Sequence, residues 1–155
     1  MRAIPEARLV LVGDGPCRAD LEARAARPDL AGRVLFTGWR RDLTRILADT
    51  DLAVLSSRNE GTPVALIEAA AAAIPAVATN VGGVCEVVFD GVTGALVPHG
   101  DPAAFAKACA KLLDDPAGRS RMGDAARELV RASYSADRLC ADVDTLYESC
   151  LQETP

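Results

Sequence analysis

Short apolar runs alternate with stretches of helical spacing along the first two thirds of the chain. Residues 9–12, 34–36, 52–55, 76–78 and 95–97 are brief, largely aliphatic and bounded by Gly, Pro, Asp and Asn, which predicts strands. Between them, residues 17–26, 43–48, 64–73 and 84–89 carry helical periodicity. Strand–helix alternation with short connections predicts βαβ units on a parallel sheet, with helices on both faces. After Pro98 the strands stop. Residues 102–113, 118–132 and 136–151 read as helices, broken at Asp114-Asp115-Pro116 and around residues 133–135. The expected fold is an α/β, Rossmann-like domain with a helical C-terminal segment. A single domain over 1–155 is expected, since a chain of 155 residues buries roughly two thirds of its unfolded surface. In the last helix Leu139, Val143, Leu146, Tyr147 and Cys150 share one face. That stripe is expected to pack on its own domain, with a partner domain or self-association as the alternative.

Composition narrows the class. Half the residues are hydrophobic but only 4% are aromatic, so Ala and Val carry most of the packing. No apolar stretch is long enough to span a bilayer, and no apolar core follows the N-terminal charges. A cytoplasmic protein is expected. The five cysteines form no C-x-x-C pair and there is one histidine, so reduced thiols and no metal site are expected. A net charge of −5 argues against nucleic-acid binding. An anionic small ligand would have to be held by local dipoles and a few arginines.

The chemistry concentrates after the third strand, in Ser57-Arg58-Asn59-Glu60-Gly61-Thr62-Pro63-Val64-Ala65-Leu66-Ile67-Glu68. Thr62 suits an N-cap and Pro63 the first helical position. The N–H groups of Val64, Ala65 and Leu66 would then lie free at a helix start. That start stands at the carboxyl end of a parallel strand, a place fitted to phosphate or pyrophosphate. Glu60 precedes the helix, and Glu68 leans back toward its start. Carboxylates repel phosphate but accept hydrogen bonds from diols. Two beside one anion site suggest a diphosphate flanked by hydroxyl-rich rings, as in a nucleotide sugar. The alternative is a solvated loop glutamate and a helix glutamate bonded to backbone.

Other positions are ambiguous. Gly13-Asp14-Gly15 invites a dinucleotide fingerprint, but Arg18 stands where the third glycine belongs, so a tight strand-to-helix turn is expected and a dinucleotide oxidoreductase is disfavoured. Gly82-Gly83 reads either as a close approach to ligand or as an ordinary loop. Arg58 reads as an anion contact or a surface arginine, and His99 as solvated.

The run Glu60…Glu68 resembles the E-x7-E motif of retaining glycosyltransferases with the GT-B fold. Leu9-Val10-Leu11-Val12-Gly13-Asp14-Gly15-Pro16, Val34-Leu35-Phe36-Thr37-Gly38, Asp51-Leu52-Ala53-Val54-Leu55-Ser56-Ser57, the run from Ile74 to Gly83 and Asp90-Gly91-Val92-Thr93-Gly94 are similar to that family's donor-domain signatures, in order. The resemblance implies the C-terminal, donor-binding half of a GT-B enzyme. Glu60 would be the catalytic-site carboxylate on the donor sugar, and Glu68 would hold the ribose. Gly61, Thr62, Pro63, Val64 and Ala65 would surround the pyrophosphate, and Trp39 and Arg40 would lie near the nucleobase. It also implies sugar transfer to an unidentified acceptor with retention, without cofactor, metal or protein nucleophile, the departing phosphate taking the acceptor's proton.

Three departures qualify that expectation. The family's first strand and helix, with the cations placed there on the diphosphate, have no counterpart, and neither has its acceptor domain. Ala73 stands where the family usually has glycine. In the strand order 3-2-1-4-5-6 the missing strand is central. Strands 9–12 and 52–55 are therefore expected either to pair directly or to accept another chain. The isolated chain is expected to be inactive. Alternatives are a non-catalytic fragment binding a nucleotide sugar or a partner chain, and an enzyme like the nucleotide-sugar 2-epimerases.

Overall fold

The computed structural model describes residue 4 and residues 6–152. They form two compact units, residues 1–49 and 50–155. The first holds β1 (Leu9–Val12), α1 (Arg18–Ala25), β2 (Val34–Gly38) and α2 (Leu43–Ala48). β1 and β2 are parallel, with Leu9 opposite Val34 and Leu11 opposite Phe36. Burial alternates along β1: Leu9 and Leu11 are half-buried, whereas Val10 and Val12 are exposed, the period-2 pattern of a strand covered on one face. The turn after β1 is tight. Gly13 takes a positive φ of 113°, and the Asp14 carboxylate accepts the Gly15 N–H at 2.8 Å. Arg18 pairs with Asp14 and Glu22 and lies 5.9 Å from the centre of the Phe36 ring. The hydrogen bond to Glu22 above all keeps its guanidinium charged. In place of a third glycine, then, Arg18 ties the turn to its own helix.

The second unit holds β3 (Ala53–Leu55), α3 (Val64–Ala71), β4 (Ala76–Thr79), α4 (Val84–Val87) and β5 (Gly94–Val97). Three helices follow: α5 (Pro102–Leu113), α6 (Pro116–Ser133) and α7 (Ala136–Gln152). The parallel sheet runs β3-β4-β5. β4 is buried throughout and sends alternate side chains to opposite faces. Ala76 and Ala78 pack with Leu66, Val84, Val87 and Val88 from α3 and the α4 region, while Val77 packs with Val97 and Leu112 toward α5. Helices thus cover both faces of this sheet, as the alternation predicts. Burying Leu66, Val84 and Val87 contributes on the order of 1.5–3 kcal/mol each.

α3 also packs on α6 through Ala70, Ala126 and Val130. That contact needs Gly123, where an added Cβ would stand 1.9 Å from the Ala73 carbonyl oxygen. α5 and α6 start on Asp101 and Asp115, whose carboxylates accept the N–H groups of Ala104 and Gly118 at 2.8 Å. The expected break around residues 114–116 is therefore a helix cap.

Among the described residues β1 is hydrogen-bonded to β2 and β3 to β4, each within its own unit. One expectation fails: the stripe on α7 does not pack into its own domain. The helix buries no residue, and Leu139, Val143, Leu146, Tyr147 and Leu151 are exposed.

Candidate functional site

β3 ends at Leu55, and residues 56–63 lead from its carboxyl end to α3. The loop 80–83 leaves the carboxyl end of the adjacent β4. Loops at this edge of a parallel sheet form ligand crevices. Here they are tied together. Thr79, 5% exposed at the end of β4, donates its hydroxyl proton to the Ser57 carbonyl at 2.7 Å. The Ser57 hydroxyl donates to Glu60 Oε1 at 2.6 Å, a short charge-assisted bond. Gly83 N–H donates to the Glu60 carbonyl at 3.2 Å. A Cβ on Gly82 would stand 1.9 Å from the Glu60 carbonyl oxygen, and one on Gly83 would stand 2.4 Å from that of Gly61. These two glycines therefore serve the approach of one loop to the other. Neither Ser57 nor Thr79 was singled out in the sequence. The available signal was Thr79 itself, a polar residue closing a wholly buried strand, which needs a partner.

The helix start differs from expectation in one respect. Pro63, not Thr62, is the N-cap of α3, with no side-chain cap bond, and Thr62 is exposed. The Pro63 carbonyl accepts the Leu66 N–H at 2.9 Å and the Ile67 N–H at 3.2 Å. Leu66 is thereby removed from the set of free donors. Val64 and Ala65 keep N–H groups with no protein acceptor among the described residues. α3 buries Leu66, Ala69 and Ala70, and turns Val64, Ala65 and Glu68 outward on one exposed face. No protein partner holds the Glu68 carboxylate among the described residues, so it is not a helix glutamate bonded to backbone. Gly61 and Arg58 are exposed in the same loop.

Trp39 and Arg40 belong to the first unit. Trp39 follows β2 and is 81% exposed. Arg40 forms a two-bond pair with Asp42, Nε to Oδ1 at 2.8 Å and Nη2 to Oδ2 at 2.6 Å. The pair holds the Asp42 carboxyl below its ordinary range and keeps the guanidinium charged. Both groups are exposed, so the pair contributes little to stability.

Elsewhere in the second unit, a cleft of about 760 Å³ lies between β5, α5 and α6, lined by Leu96, Ala108, Lys111, Arg121 and Met122 among others. None of the site residues expected from the sequence lines it. His99 is exposed, and Cys17, Cys85, Cys109 and Cys140 are unbridged. Burial pushes the Cys109 thiol up. No group of three or more metal-ligating side chains gathers among the described residues.

A sequence profile described as "Glycosyl transferases group 1" matches residues 1–115. The chain belongs to this family. It is 34% identical over 148 residues to the N-acetyl-alpha-D-glucosaminyl L-malate synthase of Bacillus anthracis, covering 96% of this chain and 39% of that protein. The sucrose-phosphate synthase of Thermosynechococcus elongatus superposes with a TM-score of 0.89 at 30% identity, over 99% of this chain and 41% of that one. HepE of Anabaena, solved in complex with UDP-glucose, superposes with a TM-score of 0.86 at 25% identity, over 94% of this chain and 42% of that one. The group 1 glycosyl transferase chain thus spans about two fifths of the length of these relatives. Its fold is that of GT-B glycosyltransferase C-terminal domains. Among the described residues no helix is long and apolar enough to cross a membrane.

Proposed function

We propose that residues 1–155 form the donor-binding domain of a glycosyltransferase that takes a sugar from a nucleoside-diphosphate sugar and passes it to an acceptor with retention. Donor binding is assigned to this chain, and transfer to the whole protein. One observation carries the reading: Glu60 and Glu68 flank a helix start whose Val64 and Ala65 N–H groups have no protein acceptor among the described residues. Those N–H groups, with Gly61, Thr62 and Pro63, take the pyrophosphate at the positive end of α3. The Glu68 carboxylate accepts from the ribose diol, and Glu60 from hydroxyls of the donor sugar. Arg58 supplies a cation near the diphosphate.

In the transfer step the bond from the anomeric carbon to the phosphate oxygen breaks and a bond to the acceptor oxygen forms. The acceptor's proton goes to the departing phosphate. The N–H groups at the helix start stabilise the charge that develops there. The UDP-glucose complex of HepE supports this class of ligand. The reading places the protein in the cytoplasm, where nucleotide sugars serve as donors.

Calorimetric titration with UDP-, GDP- and ADP-sugars tests it. One donor class should bind saturably, and Glu68→Ala should weaken that binding by about tenfold to a hundredfold, the value of a hydrogen bond to a charged group. Equal binding by both proteins would remove Glu68 from the site. The exposed stripe of α7 favours a second role beside the first, engagement of an acceptor domain or of a second copy of the chain.

A further inference from the structure

We propose that Ser57 is a positioning residue for Glu60, fixing the carboxylate so that Oε2 is the oxygen offered to the donor sugar. This rests on the assignment of Glu60 to that sugar. A glutamate in a loop samples several rotamers, and a site that depends on it needs one of them held. Here the Ser57 hydroxyl occupies Oε1 at 2.6 Å. Oε2 has no protein partner among the described residues. A hydroxyl donor leaves the carboxylate its full charge, so the free oxygen remains a strong acceptor.

Both ends of this bond are anchored outside their own loop. The Ser57 carbonyl is held by the buried hydroxyl of Thr79 at 2.7 Å, and the Glu60 carbonyl by Gly83 N–H at 3.2 Å. Gly82, with φ of 50° and no room for a Cβ, lets the second loop come that close. The end of β4 therefore sets the place of a carboxylate that the β3–α3 loop supplies. A serine that merely closed a local turn would need neither anchor.

The test is calorimetry with UDP-glucose and with UDP on the wild-type chain and on Ser57→Ala, Ser57→Thr and Glu60→Ala, each checked for an unchanged melting midpoint. Ser57→Ala should weaken UDP-glucose about tenfold and leave UDP unchanged, and Ser57→Thr, which keeps the hydroxyl, should bind as wild type. A Ser57→Ala chain that loses UDP and UDP-glucose equally would give the serine a merely structural role and overturn the proposal. So would a Ser57→Ala chain that binds as wild type while Glu60→Ala loses the sugar-dependent affinity. If UDP-glucose does not bind, GDP-glucose with GDP or ADP-glucose with ADP takes its place in the same comparison; a wild-type chain that binds none of the three donors, or a Glu60→Ala chain that binds as wild type, would instead sink the reading of Glu60, and the proposal with it.

Discussion

Ala73 holds a left-handed backbone, with φ of 60°, where α3 ends. The Ile74 N–H reaches back to the Ala69 carbonyl and the Ala73 N–H to that of Ala70, both at 2.9 Å, the pattern of a Schellman cap. Its left-handed position is the one at which glycine carries no Cβ penalty. The departure seen in the sequence, alanine where the family usually has glycine, is thus a strained residue. Ala73→Gly should raise stability by about 0.5–1 kcal/mol and the melting midpoint by a few degrees in a thermal scan. No change, or a fall, would mean that surrounding packing has removed the strain. Other single residues were less legible. By residue type Thr62 suits the cap, which would set Pro63 one position inside the helix, yet Pro63 is itself the N-cap and no side-chain cap bond forms. The anchoring of Ser57 by Thr79 is a contact across 22 residues, which local pattern does not encode, and the Ser57–Glu60 bond depends on how the loop between them folds.

At the scale of elements, the strands and helices follow the sequence pattern closely, since short aliphatic runs and helical spacing are local signals. Pairing is not local. The apolar run 52–55 gives no sign of which strand β3 takes as its partner, here β4. The stripe on the last helix is likewise plain in the sequence, while what covers it is not. Because α7 buries no residue, deleting residues 136–155 should shift the melting midpoint by no more than a few degrees. A docked helix burying Leu139, Leu146 and Tyr147 would contribute several kcal/mol, at about 1.5–3 kcal/mol per large side chain, and its loss would lower the midpoint far more. A large fall would therefore contradict the exposed state of this helix.

For the whole molecule, a net charge of −5 gives no general attraction for a diphosphate, so binding has to be local. Two places in the second unit could provide it, the start of α3 and the cleft between β5, α5 and α6 with its lysines and Arg121. The cleft holds about 760 Å³. The helix start has the free N–H groups and the two carboxylates that suit a nucleotide sugar, and it lies on the loops at the carboxyl edge of the sheet. Amide shifts of the 15N-labelled chain during titration with UDP, GDP and ADP in turn decide between them. With the nucleotide that binds, the Val64 and Ala65 amides should move most and saturably, with Gly61 and Thr62 following. Movement centred on Leu96, Ala108 and Lys111, with Val64 and Ala65 still, would contradict the donor site described above.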